Sequence, residues 1–137
     1  MKGRILGIDY GRKRVGIAAT DPMQIIVSPV DTVDEKGFHE YIDSYLSRET
    51  VVSIVMGYPY RQGGLRSPIM DSIDKAVEHL RKRYPDIPVH LTDESYTSSD
   101  AMQVLIQAGV KRKKRRDKKL LDKMSAVLIL QKYLGHI

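Results

Sequence analysis

Hydrophobic residues follow two patterns along the chain: short apolar runs, and longer segments with apolar residues three and four positions apart. The runs predict strands over residues 4–9, 14–20, 25–33, 51–56 and 89–92. The spaced segments predict helices over residues 36–48, 67–83, 98–108 and about 118–134. The resulting order, β-β-β-α-β-α-β-α-α, indicates an α/β fold with a five-stranded mixed sheet and helices on both faces.

The predicted connections also suggest how the strands are arranged. Short connections join the first three strands, which predicts an antiparallel meander, and Pro29 favours an edge position for the third because proline lacks a backbone donor. The fourth and fifth strands follow helices, and right-handed crossovers would make them run parallel to the first. The carboxyl ends of these three strands then share one rim, where open α/β sheets bind ligands.

Three acidic residues stand where this topology could bring them together. Asp9 closes the first strand, Glu94 follows the fifth, and Asp122 lies near the start of a stripe of small and apolar residues on the last helix. Asp93 and Glu94 point to opposite faces, and alternation alone leaves open which of them faces Asp9. The plainer alternatives are that Asp9 only starts a turn and that Asp122 is an exposed acid paired with a lysine.

Several carboxylates on one rim repel each other unless cations lie between them. The chain has no cysteine, and oxygen ligands favour Mg²⁺ or Mn²⁺. Two such ions can activate a water molecule and stabilise the leaving oxygen of a phosphodiester. The acids therefore suggest a metal-dependent hydrolase.

The net charge of +6 is concentrated in one segment. Residues 111–119 hold eight basic side chains and one acidic, a charge of +7, so the rest of the chain carries −1. Such a run predicts a mobile loop that contacts the phosphates of a nucleic acid. A solvated loop without a partner and a nuclear-import signal are the alternatives.

Length and composition limit the class of protein further. A chain of 137 residues predicts one domain, residues 1–137. The absence of cysteine excludes disulfides, thiolate zinc sites and cysteine nucleophiles. There is no apolar run of about 18 residues and no signal-peptide pattern. We therefore expect a cytoplasmic protein that has no membrane partner.

Four short motifs, in order and at consistent spacing, cover nearly the whole chain: 7–16, 57–59, 93–97 and 122–134. With them the chain resembles the YqgF family of RuvC-like proteins, which have a ribonuclease H fold. Members of that family are described as Holliday junction resolvases or as nucleases that process the 5′ end of pre-16S rRNA. The resemblance implies a single ribonuclease H-like nuclease domain.

The resemblance also implies roles for individual residues. Asp9, Glu94 and Asp122 would be the catalytic, metal-binding triad, with Asp93 a neighbour. Arg12, Lys13 and Arg14 would contact the nucleic-acid backbone. Independently of the resemblance, the charge of the basic segment predicts phosphate contacts from Lys111, Arg112, Lys113, Lys114, Arg115 and Arg116. Two places depart from the family pattern and bear on substrate choice: Ser95 replaces an arginine, and residues 60–64 replace an Asn-x-Asp-Gly-like turn.

We therefore expect a two-metal endonuclease acting on structured nucleic acid, with 5′-end processing of pre-16S rRNA as its function. One alternative is a Holliday junction resolvase, which would act on branched DNA as a two-fold dimer. Another is an RNA-binding ribosome-assembly factor without catalysis. A phosphotransferase of the sugar-kinase type is disfavoured because it needs two such domains. The sequence does not decide between RNA and DNA, or between a monomer and a homodimer.

Overall fold

The computed structural model describes residues 2–60, 66–94 and 97–137. Its strands form one sheet in the order β3-β2-β1-β4-β5. They are β1 (Arg4–Tyr10), β2 (Arg14–Thr20), β3 (Val27–Asp34), β4 (Val51–Tyr58) and β5 (Val89–Asp93). The pairs β1–β2 and β2–β3 are antiparallel, whereas β1–β4 and β4–β5 are parallel. The predicted mixed sheet is confirmed, and the carboxyl ends of β1, β4 and β5 share one rim.

The helices divide between the two faces of the sheet. They are α1 (Phe38–Arg48), α2 (Pro68–Arg83), α3 (Thr97–Gln107), α4 (Arg112–Arg115) and α5 (Lys118–Leu134). Helices α1 and α2 bury their apolar stripes on one face, where Phe38 and Leu80 join Ile8 in the main core. Helix α5 covers the other face through Ile129 and Leu130, and α3 packs against α5. None of the described helices has the length and apolarity needed to cross a bilayer.

Helix α5 lies directly on the sheet because the residues below it are small. A Cβ atom on Gly7 would be 2.9 Å from Leu130 Cβ and 3.0 Å from the carbonyl oxygen of Ala126. The helix begins after Asp117, whose side chain accepts a hydrogen bond from the backbone N–H of Lys119, and it ends at Gly135 in the left-handed conformation. It runs antiparallel to β1, so its first turns stand at the rim formed by the strand ends.

Two sequence predictions about local structure were wrong. The basic segment is not a loop throughout, because it contains α4, in which the backbone N–H of Arg115 donates to the carbonyl oxygen of Lys111. Lysine and arginine have favourable helix propensities, and mostly exposed charges repel too weakly to prevent one turn. Ile25 and Ile26 precede β3 instead of belonging to it, because the Asp21 carboxylate accepts hydrogen bonds from their backbone N–H groups and holds them in a loop.

Candidate active site

Asp9 lies near the carboxyl end of β1, on the side of the sheet that α5 covers. Side chains alternate along the strand, so Ile8 enters the core below α1 and α2 while Gly7 and Asp9 face α5. Asp9 pairs in register with Gly16 of β2. Its carboxylate is therefore carried by a central strand at the rim where ligands of α/β proteins bind.

Glu94, and not Asp93, reaches the same side of the sheet as Asp9. Its backbone N–H donates to the carbonyl oxygen of Tyr58 at 3.1 Å, which extends the pairing of β5 with β4 by one residue. Its side chain lies against Gly57, where a Cβ atom would be 2.9 Å from Glu94 Oε2. Because Gly57 has no side chain, Glu94 can occupy the space beside it. Side chains alternate between the faces of a strand, so Asp93 points to the opposite face of the sheet.

The carboxyl groups of Asp9 and Glu94 are hydrogen-bonded to each other. Burial is the main cause that raises the pKa of both groups. The pKa of Glu94 rises to about 9, to which repulsion by Asp9 and Asp93 also contributes. At neutral pH the pair therefore shares a proton, which a cation could replace.

Asp122 approaches this pair from α5. A Cβ atom on Gly16 would be only 2.1 Å from the carbonyl oxygen of Asp122, so the helix touches β2 beside Asp9. The negative charge of Asp122 raises the pKa of Asp9 further. The Asp122 carboxylate accepts a hydrogen bond from Arg14 Nε at 2.8 Å. The alternative that Asp122 is an exposed acid paired with a lysine is therefore wrong, because its partner is this arginine on β2.

The acidic residues fit a divalent cation in their chemistry but do not yet enclose one. Asp9 and Glu94 offer oxygen ligands of the kind Mg²⁺ and Mn²⁺ prefer, and they share a proton that a cation could replace. Within residues 2–60, 66–94 and 97–137, however, no three acidic or histidine side chains are grouped closely enough to hold one ion. Binding through all three acids would bring these side chains closer together than they are in this arrangement. The metal-binding triad stays a prediction.

Two groups of basic residues border the acids at the rim. Arg12 and Lys13 are exposed in the turn between β1 and β2, whereas Arg14, predicted to act with them, turns its side chain towards Asp122. The second group leads into the first turn of α5, and only Arg115 in it is partly buried: Lys111, Arg112, Lys113, Lys114, Arg115 and Arg116. Part of this group lines a cleft of about 550 Å³. Both groups stand at the end of the sheet that carries the acids.

Sequence reasoning missed the contacts of Arg14 and Gly16 with Asp122. A glycine inside an otherwise apolar strand was the available signal, because it often marks a close approach of another backbone. Nothing near Arg14 in the sequence identifies a partner 108 positions away. Ser95 and positions 61–64, where the chain departs from the YqgF pattern, lie outside the described residues.

Comparison with known proteins identifies the family of this chain. Residues 3–136 match the family model described as "RuvX: Holliday junction resolvase". A protein of Parabacteroides distasonis named "Putative pre-16S rRNA nuclease" is 46% identical over 132 residues, which cover 96% of this chain and 94% of that protein. Proteins with the same printed name in Amoebophilus asiaticus and Porphyromonas gingivalis are 43% and 44% identical. Those two matches cover 97% and 98% of this chain, and 94% and 97% of the relatives. The chain therefore belongs to the RuvX family.

Proposed function

We propose that this protein is a metal-dependent endonuclease that hydrolyses phosphodiester bonds in structured RNA, with the 5′ end of pre-16S rRNA as its substrate. The observation that carries the proposal is the hydrogen-bonded pair of Asp9 and Glu94 at the ligand-binding rim, next to the charge of Asp122. A buried carboxyl pair that has no basic partner among residues 2–60, 66–94 and 97–137 is costly for folding, and such groups cluster at functional sites. The names of the relatives support the choice of substrate.

Asp9, Glu94 and Asp122 each have a separate role in this proposal. When bound, Mg²⁺ or Mn²⁺ supplies a Lewis acid that activates water and stabilises the leaving oxygen, and two ions do so from both sides. Asp9, on the central strand, would be one ligand of the metal site. Glu94 would bind the cation as a carboxylate after losing the proton that it shares with Asp9, and Asp122 would add a ligand from α5.

The basic groups would hold the substrate across the acids. Arg12 and Lys13 stand on the β1–β2 turn, and residues 111–116 stand on the connection to α5. Because each group is near the same rim, a phosphate backbone that contacts both would lie close to the acids. Phosphate contacts position a nucleic acid without reading its bases, so these groups support binding and leave sequence choice to other contacts.

The family description favours one second candidate, a Holliday junction resolvase that cuts branched DNA. The acids and the basic groups would serve this reaction equally well, since both reactions hydrolyse a phosphodiester. The difference lies in the geometry of the substrate, and a resolvase would act as a two-fold dimer.

The experiment compares wild-type protein with Asp9→Asn on two substrates, an RNA that carries the pre-16S 5′ leader and a four-way DNA junction. Each is incubated with Mg²⁺, with Mn²⁺ and with chelator, and binding is measured separately. We expect metal-dependent cleavage of the RNA by the wild type and a loss of about 10²–10³-fold in Asp9→Asn, as for removal of a group that acts in the transition state. Asp86→Asn, an exposed acid after α2, is the matched control and should cleave normally.

Each result assigns the function differently. Cleavage by Asp9→Asn, or cleavage in chelator, contradicts the proposed chemistry. Cleavage of the junction in preference to the RNA supports the resolvase. Tight binding of RNA without cleavage by the wild type supports an assembly factor.

A further inference from the structure

We infer that Arg14 is a positioning residue that fixes the carboxylate of Asp122 for the metal site, and not a contact for the phosphate backbone. The inference rests on the proposed function, because it assumes that Asp122 belongs to the metal-binding set. It separates Arg14 from Arg12 and Lys13, with which it forms one basic run in the sequence.

The contact between Arg14 and Asp122 has the geometry of a fixed hydrogen bond. Arg14 Nε lies 2.8 Å from Asp122 Oδ2, and the two side chains keep only 29% and 24% of their exposure. A charge-assisted bond of this length in a half-buried place is stronger than a pair at the open surface. Among the contacts between described residues, Arg14 bonds to Oδ2 of Asp122, which leaves Oδ1 of Asp122 available to a cation.

Arg14 is itself anchored by the backbone around it. It is the first residue of β2, and its carbonyl oxygen accepts a hydrogen bond from the backbone N–H of Gly11 at 3.0 Å. It also pairs with Asp34 in the register of β2 and β3. The guanidinium is therefore presented from a defined position on the sheet, and not from a loose turn.

A second residue of the same strand acts on the main chain of Asp122. Residues 14 and 16 point to the same face because they are two apart on a strand. The missing side chain of Gly16 lets the carbonyl group of Asp122 lie on β2, and Arg14 holds its carboxylate. Strand β2 thus fixes Asp122 at two points, which is how residues around a metal site orient its ligands.

The test compares Arg14→Gln with Arg12→Gln, which removes one positive charge from the same turn at an exposed position. Binding of Mn²⁺ is measured by electron paramagnetic resonance in the absence of nucleic acid. We expect Arg14→Gln to bind Mn²⁺ about 10–100-fold more weakly and Arg12→Gln to bind it like the wild type. The salt dependence of RNA binding should weaken in Arg12→Gln and remain unchanged in Arg14→Gln.

A third variant keeps the test decisive if Arg14→Gln fails to fold. Arg14→Lys retains the charge that a phosphate would need but lacks the planar guanidinium and its Nε donor. We expect it to bind Mn²⁺ with an affinity between those of the wild type and Arg14→Gln, or, if the latter does not fold, more weakly than the wild type. Folding is checked by circular dichroism.

Two kinds of failure can be told apart. If the wild type binds Mn²⁺ and the folded Arg14 variants bind it as tightly or more tightly, the role of Arg14 is overturned while the proposed function stands. A reduced salt dependence in Arg14→Gln, equal to that of Arg12→Gln, also overturns it in favour of a phosphate contact. If the wild type itself binds no Mn²⁺, the proposed function fails, and the inference fails with it.

Discussion

Gly16 of β2 lies directly against the main-chain carbonyl group of Asp122 on α5. A Cβ atom on Gly16 would be 2.1 Å from the carbonyl oxygen and 2.5 Å from the carbonyl carbon, distances that real Cβ atoms do not adopt. Asp9 is the cross-strand partner of Gly16. The absence of one side chain therefore sets how closely the acid on the helix can approach the acid on the sheet.

Gly16→Ala should displace α5 and separate Asp122 from Asp9. The added methyl group meets backbone atoms, which cannot rotate away as a flexible side chain could. We expect the free energy of unfolding to fall by about 1–3 kcal/mol, the usual cost of overpacking. Affinity for Mn²⁺ should fall at least about tenfold, because the ligands move apart. Urea denaturation and a Mn²⁺ titration measure the two effects.

Gly37→Ala is the matched control for this substitution. A Cβ atom on Gly37 has no atom within 4 Å, and the residue has a φ of −97°, which alanine adopts without strain. The change should leave Mn²⁺ affinity as it is and alter the free energy of unfolding by less than about 1 kcal/mol. If Gly16→Ala behaves like Gly37→Ala, the close approach of α5 does not position Asp122.

The Asp9–Glu94 pair should make the metal-free protein less stable as the pH rises. Burial raises the pKa of both groups, that of Glu94 from 4.5 to about 9. Between these pH values the unfolded chain loses the proton that the folded chain keeps, so the free energy of unfolding falls from about pH 5 to about pH 9. Denaturation curves at pH 5, 7 and 9 in chelator test the slope.

Glu94→Gln identifies the source of that slope. Glutamine can donate the same hydrogen bond to Asp9 without titrating, so the pH dependence should become flatter. At pH 8 the metal-free variant should be more stable than the wild type, because the folded wild type must hold a proton that its unfolded chain has lost, whereas glutamine needs no proton. An equal slope in both proteins, or stability that rises towards pH 9 in the wild type, would show that the pair does not share a proton.

The sequence predicted the parts of the site that depend on local pattern and topology. Apolar runs located β1 and β5, and right-handed crossovers placed the ends of β1 and β5 on one rim, so Asp9 was expected to meet either Asp93 or Glu94. Alternation could not choose between Asp93 and Glu94, because the choice depends on which face Gly57 leaves open.

What the sequence did not predict depends on contacts between distant residues or on small energy differences. The Arg14–Asp122 bond joins positions 108 apart, and no local signal encodes it. Helix α4 was missed because charge repulsion argued for a loop, whereas exposed charges are well solvated and the backbone could close one turn. The metal itself stays a prediction from donor chemistry.

Gly57 offers a way to move Glu94 without changing its charge. A Cβ atom on Gly57 would be 2.9 Å from Glu94 Cβ and Oε2, and 2.6 Å from Ile129 Cδ1. Gly57→Ala combined with Ile129→Val removes the second clash and keeps the first. We expect the double variant to bind Mn²⁺ at least about tenfold more weakly than Ile129→Val alone. Equal affinity would mean that Glu94 is not a ligand or that its side chain moves aside freely.

Lysines of the basic segment should contribute to the salt dependence of RNA binding. Lys113 and Lys114 are exposed beside the start of α5, at the rim that carries the acids. Each phosphate contact contributes about 0.7–0.9 to the slope of log K against log salt, because it releases a counterion. Lys113→Gln/Lys114→Gln should therefore reduce the slope by about 1.4–1.8, with Mn²⁺ affinity unchanged. The control Lys75→Gln/Lys82→Gln, on α2 across the sheet, removes the same charge and should keep the wild-type slope. Equal slopes in both variants would exclude the two lysines as phosphate contacts.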